Sequence, residues 1–153
     1  MIIFLENSNL LDVDSGVIAH GCNAQGVMGS GVAKQLRYKY PEVYTSYSSA
    51  LVDFGRHWCG AVDFVRVSPR LIVANMITQE YYGRDGAHYV SYAALQIAMQ
   101  SVLEQSKNMG LDVHIPYMVG AGLGGGDLTK IKSIYEDCST AANKNIYCHI
   151  FKK

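Results

Sequence analysis

Glycine is concentrated in two short runs, GCNAQGVMGSG (Gly21 to Gly31) and GAGLGGG (Gly120 to Gly126). Each run follows an apolar, strand-length segment and precedes a helical one. Backbone without Cβ atoms turns sharply or lies close against a ligand. A strand that ends in such backbone and turns into a helix aims several free N–H groups, and the positive end of a helix dipole, at one point in space. That arrangement suits a phosphate or diphosphate. Two such loops could clamp one diphosphate from both sides. Neither has the G-x-x-x-x-G-K-[ST] spacing of a nucleotide-binding P-loop, and neither is a G-x-G-x-x-G followed about 20 residues on by a ribose-binding acid. Kinase and dehydrogenase readings lose ground accordingly. The plainer reading, glycines that only make tight turns, fits either run alone better than it fits both.

The segments around these loops alternate in period. IIFL (2–5), GVIAH (16–20), AVDFVRV (61–67), RLIVANMIT (70–78), DVHIP (112–116) and NIYCHIF (145–151) are strand-length and rich in Ile, Val, Phe and Tyr. Helices are expected between them. Residues 29–39 place Val32, Leu36 and Tyr40 on one face, and Pro41 opens a second helix through PEVYTSYSSALVDF. Residues 91–109 carry Leu95, Ala98, Met99, Val102 and Leu103 at helical spacing, with Gly110 as the stop. Asp127 is expected to N-cap the last helix, whose stripe is Ile131, Ile134 and Cys138. Strands alternating with helices predict an α/β fold: three layers, with a central mixed, mostly parallel six-stranded sheet covered on both faces. Ligands in such sheets bind beyond the carboxyl ends of the strands.

With 153 residues, 49% of them hydrophobic, and no repeat or Pro/Ser-rich linker, residues 1–153 read as one domain. Lys plus Arg equals Asp plus Glu at 13 each, so no overall field draws in nucleic acid or an anionic membrane, and neither is expected as a partner. The first residues, MIIFLENSNL, lack the features of a signal peptide, which leads to the expectation of a soluble, cytoplasmic monomer. Cys22, Cys59, Cys138 and Cys148 lie far apart and are expected to be reduced. His57, His88, His114 and His149 show no ligand spacing, so no metal and no cofactor is expected.

The stretch VIAHGCNAQGVMGSGVAKQLRYKYPEVY resembles the first signature of the macro domain family, and HIPYMVGAGLGGGDLTKI resembles the second. The first strand with ENSNLLD resembles the family's opening strand and turn, so the likeness covers essentially the whole chain. Its short length and GAGLGGGD look most like the compact branch. That branch holds ADP-ribose 1''-phosphate phosphatases and terminal ADP-ribose protein glycohydrolases, some carried by phages, in which case the location would be the host-cell cytoplasm.

The resemblance implies an ADP-ribose site. Asn23 falls where the family's Asn hydrogen-bonds the distal ribose, a job its donor-and-acceptor amide suits, while a turn-stabilising role is the alternative. Gly29, Ser30 and Gly31 would line one side of the diphosphate, and Gly122, Leu123, Gly124, Gly125 and Gly126 the other. Asn9 stands where the family usually has an adenine-binding Asp and could still accept through its carbonyl oxygen. The segment QEYYGRDGAHYVSY, polar, aromatic and Gly-containing between a strand and a helix, is by its own composition a candidate wall of the site, with Tyr81 or Tyr82 covering the ligand and Arg84 and His88 at its terminal phosphate or distal ribose; solvated loop residues are the plainer reading of Arg84 and His88.

Catalysis departs from the branch's glycohydrolases. Gln79 stands where they carry a nucleophilic Lys, and Gly124 where they carry an Asp; a Gln cannot form that adduct. The remaining candidates are His20, as acid or base, and Asp127, orienting or deprotonating a water. Each has a structural alternative, a buried strand-end histidine and a helix cap. The function expected is removal of phosphate from ADP-ribose 1''-phosphate. The alternatives are a non-catalytic module binding ADP-ribose or an NAD-derived signal, and a hydrolase of ADP-ribosyl conjugates.

Overall fold

A computed structural model of the chain describes residues 1–29, 31–54, 58–81, 90–117 and 126–151. Its strands are β1 (Ile2–Glu6), β2 (Gly16–Asn23), β3 (Val62–Ser68), β4 (Leu71–Gln79), β5 (Val113–Pro116) and β6 (Ile146–Ile150). Its helices are α1 (Gly31–Lys39), α2 (Pro41–Phe54), α3 (Tyr92–Met109) and α4 (Leu128–Ala142), with a single 3-10 turn at Leu10–Asp12. The strands form one six-stranded sheet in the order β1-β6-β5-β2-β4-β3. Every neighbouring pair is parallel except β3 with β4.

Side chains along β2 and β4 alternate between two cores, which makes the three-layer α/β/α arrangement visible in β2. Val17 and Ala19 join Leu95, Met99, Val102, Leu103 and Ile131 in the core under α3 and α4. Ile18 and Cys22 join Leu36, Val43 and Tyr47 in the core under α1 and α2. Burial of each large side chain is worth roughly 1.5–3 kcal/mol, so the two cores hold the sheet between the helix layers.

The helix ends follow their caps. Ser91 accepts from Ala94 N–H at 3.2 Å and starts α3, and Gly110, at φ 67°, ends it with its N–H on the Lys107 and Ser106 carbonyls. Asn143, in the same left-handed region at φ 50°, ends α4, a stop the sequence reading did not mark. Two boundaries differ from expectation in ways that matter. Helix α1 begins at Gly31, two residues later than read from periodicity. Strand β2 continues three residues past His20, because the nine-residue β4 keeps pairing with it through His20↔Asn75, Gly21↔Met76 and Cys22↔Ile77. His20 therefore lies inside a strand, not at its end.

Candidate functional site at the carboxyl edge of the sheet

Because β1, β5 and β2 run parallel within the sheet, the segments leaving their carboxyl ends emerge along one edge. Those segments contain Asn9 after β1, Gly126 and Asp127 between β5 and α4, and Asn23 to Gly31 after β2. β4 ends there too, with Gln79 beside Asn23 across a bulge at Cys22/Asn23.

Asn23 is only 8% exposed, and its side chain organises the turn that follows. Its Oδ1 accepts from Gln25 N–H at 3.0 Å and from Val27 N–H at 3.3 Å and lies 2.9 Å from the Tyr47 hydroxyl, while its Nδ2 donates to the Val27 carbonyl at 2.8 Å. These bonds bear out the turn-stabilising reading of the residue.

The turn is tied to α2 by two tyrosines. Tyr47, fully buried, accepts from Gly26 N–H at 3.1 Å and donates toward the Asn23 carbonyl at 2.5 Å. Tyr44 donates to the Gly26 carbonyl at 3.3 Å, with the Arg37 guanidinium 3.7 Å over its ring. Burial pushes the Tyr47 hydroxyl pKa up, so it stays a neutral donor. Gly26 needs its lack of a side chain here, since its φ is +82°. Neither tyrosine stands out as a site residue in the sequence; the available signal is Tyr47 sharing the apolar face of α2 with Val43, four residues earlier.

His20 lies in the interior of β2. It is 1% exposed and points into the α2 side of the sheet, where its Nε2 lies 2.5 Å from Asn75 Oδ1 and 3.6 Å from Cys22 Sγ. Asn75 Nδ2 donates onward to the Val43 carbonyl at 3.1 Å and to Asp63 Oδ2 at 3.3 Å, and Asp63 accepts from Ser46 at 3.0 Å. Desolvation lowers the His20 pKa to about 4, against the pull of the Asn75 hydrogen bond. The ring is held in this network by Asn75, and among the described residues no hydrogen bond joins it to Asp127. Asn75 had a signal of its own, as a lone amide within the apolar run RLIVANMIT.

Asp127 is exposed and caps α4: its Oδ1 accepts from Thr129 N–H at 2.8 Å and Lys130 N–H at 3.3 Å, as expected of an N-cap. Its own N–H donates to the Tyr92 hydroxyl at 2.9 Å, which joins the start of α4 to the start of α3. Asn9 uses its Oδ1 to cap the 3-10 turn through Leu11 N–H at 3.0 Å, a role the sequence reading did not give it. In the first loop, Gly31 has φ +64° and Gly29 an ordinary φ with room for a Cβ 3.8 Å from Val27. Gly126 is half-buried. Ser30, Gly122, Leu123, Gly124, Gly125, Tyr82, Arg84 and His88 lie outside the described residues.

Gln79 donates from Nε2 to the Tyr81 carbonyl at 2.7 Å, so it carries neither an amine nor a free carboxylate at the end of β4. Among the described residues, no three His, Cys, Asp or Glu side chains are placed to hold a metal ion, and no helix is long and apolar enough to cross a membrane.

No family model matches the chain. Over 39 residues it is 56% identical to an ADP-ribose 1''-phosphate phosphatase of Scheffersomyces stipitis, a match that covers 26% of this chain and 22% of that protein. Over 44 residues it is 39% identical to a DNA ADP-ribosyl glycohydrolase of Mycobacterium tuberculosis, covering 29% of this chain and 12% of that one. The chain thus matches less than a quarter of the length of either relative. Solved structures align along almost the whole chain. A protein of unknown function from Bacteroides thetaiotaomicron superposes with a TM-score of 0.86 at 26% identity, covering 99% of this chain and 98% of that one. A macrodomain protein from Streptomyces coelicolor gives 0.81 at 27%, covering 99% and 100%. The Thermosipho africanus DarTG solved in complex with ADP-ribose gives 0.74 at 18%, covering 89% and 38%, a likeness of fold.

Proposed function

We propose that this chain, a macro domain by fold, binds ADP-ribose along the carboxyl edge of its sheet and removes the terminal phosphate of ADP-ribose 1''-phosphate. The observation that carries the reading is the placement of the Asn23 turn and the Asp127 cap at that one edge, with Gly-rich backbone attached to each. The 39-residue likeness to a phosphatase supports the choice of substrate.

In this reading Asn23 contacts the distal ribose, and Asn9 faces the adenine. Gly29, Ser30 and Gly31 on one side and Gly122, Leu123, Gly124, Gly125 and Gly126 on the other hold the phosphates through backbone N–H groups. Tyr82 and His88 belong to the wall over the ligand. Hydrolysis needs an in-line water, neutralisation of the equatorial oxygens and a proton for the leaving alcohol. The backbone donors supply the second. Asp127 supplies the first: the cap bonds fall on Oδ1, which leaves Oδ2 to orient a water and take its proton as it attacks phosphorus, while the ribose oxygen departs from phosphorus and takes up a proton from solvent.

A second reading, cleavage of an ADP-ribosyl conjugate, has the likeness to a DNA ADP-ribosyl glycohydrolase in its favour. Gln79 weighs against any version that needs a lysine adduct at the end of β4. One experiment separates these from a pure binder: phosphate release from ADP-ribose 1''-phosphate, run beside calorimetry with ADP-ribose and AMP. Phosphate release with ADP-ribose bound far more tightly than AMP is the expected result. Tight ADP-ribose binding with no phosphate release would leave a binding module, and equal affinity for AMP would overturn the two-loop site.

A further inference from the structure

The Asn23 amide has four hydrogen-bonding positions, and the turn consumes three of them in a way that fixes its orientation. Two backbone N–H groups, Gln25 at 3.0 Å and Val27 at 3.3 Å, point at one side-chain atom, which must therefore be the oxygen. The other side-chain atom lies 2.8 Å from the Val27 carbonyl and must therefore be the nitrogen. The Tyr47 hydroxyl, whose one proton points to the nearer Asn23 backbone carbonyl at 2.5 Å, stands 2.9 Å from the amide oxygen and closes it off from any further donor. What the amide has left is one N–H of Nδ2.

We infer that Tyr47 determines where Asn23 presents its amide: the buried hydroxyl pins the Asn23 carbonyl and the Gly26 N–H to α2, so that the turn offers the remaining Nδ2 N–H in one place and a ligand must present an acceptor oxygen there. Tyr47 is a positioning residue that acts through Asn23. Its own hydroxyl is fully spent, on Gly26 N–H at 3.1 Å and on the two oxygens of Asn23 at 2.5 and 2.9 Å. The ring is held by burial in the α1/α2 core, so the hydroxyl comes from a rigid helix and not from a loop. Removing it would free Gly26 N–H and the Asn23 carbonyl and leave the longer Tyr44 bond to the Gly26 carbonyl as the turn's remaining tyrosine link to α2. The inference rests on the ADP-ribose reading, in which the acceptor is a hydroxyl oxygen of the distal ribose.

The test compares wild type with Tyr47→Phe by calorimetry, using ADP-ribose and ADP, which shares every group of the first except the distal ribose. Loss of one oriented hydrogen bond is worth about tenfold. ADP-ribose affinity is expected to fall by about that factor or more while ADP affinity holds. Equal affinity of both proteins for ADP-ribose, or an equal loss for both ligands, would overturn the role of Tyr47. If wild type binds no ADP-ribose, the functional reading fails first and the inference falls with it. Should Tyr47→Phe not fold, the side-chain amide resonances of Asn23 in the wild-type protein decide. One Nδ2 proton is expected to be protected before ligand is added, and the other to shift on saturation with ADP-ribose. Two unprotected, unshifted protons in a protein that binds ADP-ribose would sink the idea.

Discussion

His20 Nε2 and Asn75 Oδ1 meet at 2.5 Å between β2 and β4, in a pocket closed by α2. The contact is the centre of a chain of polar groups, from His20 through Asn75 and Asp63 to Ser46, that fastens the helix carrying Tyr44 and Tyr47 to the sheet. His20→Ala would leave Asn75 without its buried partner and open a cavity. It is expected to cost about 2–4 kcal/mol, read from urea unfolding. Phosphate release per folded molecule should stay within about threefold of wild type, since a catalytic acid or base contributes on the order of 10² or more. A hundredfold loss in fully folded protein would restore His20 to the chemistry.

Acid is expected to unfold the protein through its buried histidines. Desolvation holds His20 and His114 near 4 and lowers His149 as well, while an unfolded histidine titrates near 6.5. The folded state therefore binds fewer protons than the unfolded one between these values. Stability from these groups is complete above about 6.5 and is lost as pH falls toward about 4. His114 Nδ1 and His149 Nε2 lie 2.8 Å apart, and His149 Nδ1 lies 2.7 Å from Ser8 Oγ, so a second proton on the pair would set two donors against each other. Urea midpoints at pH 7, 5.5 and 4.5 should descend, and His114→Asn should flatten the descent. A flat wild-type profile would show that these rings carry no proton linkage.

Asp127 can be divided into its two proposed roles by one isosteric change. Asn caps a helix as well as Asp does, so Asp127→Asn should keep thermal stability, while Asp127→Ala should lose about 1 kcal/mol. If Oδ2 orients the attacking water, Asp127→Asn should slow phosphate release by on the order of 10² to 10⁴ with ADP-ribose affinity almost unchanged. Full activity in Asp127→Asn would return the residue to structure.

Gly29 and Gly31 differ in what a methyl group would disturb. At Gly31 no atom stands within 4 Å of an added Cβ, yet φ is +64°, so Gly31→Ala should cost about 1–2 kcal/mol of stability through the backbone alone. At Gly29 the added Cβ would make only ordinary contact with Val27 at 3.8 Å, so Gly29→Ala should leave unfolding unchanged. A fall in ADP-ribose affinity in that variant would then report the ligand itself, and unaltered affinity would remove Gly29 from the diphosphate site.

Most of the architecture was readable because each element carries its own local cause. Pro41, Ser91, Gly110 and Asp127 mark helix ends by chemistry that acts within a few residues, and the structure places α2, α3 and α4 by them. The site was less readable where a residue's role depends on a partner far along the chain. Asn23 depends on Tyr47, 24 residues away, and His20 on Asn75, 55 residues away. The end of β2 was missed for the same reason, as its last three residues are held extended by β4 and not by their own propensity. His20 looked available to a ligand from sequence because a strand end and a strand interior are spelled alike.

The strand order has a consequence for synthesis. β6 lies between β1 and β5, and among the described residues β1 pairs with β6 alone. During translation at roughly 5–20 residues per second, the first strand leaves the ribosome and waits many seconds for its partner. Ile2, which ends in the core beside Ile146, spends that time in water or against whatever chaperone is at hand. A message cut short ahead of β6 would thus yield a chain whose β1 has no strand to pair with, and the cell's quality control would meet it as an unfinished edge rather than a smaller folded protein.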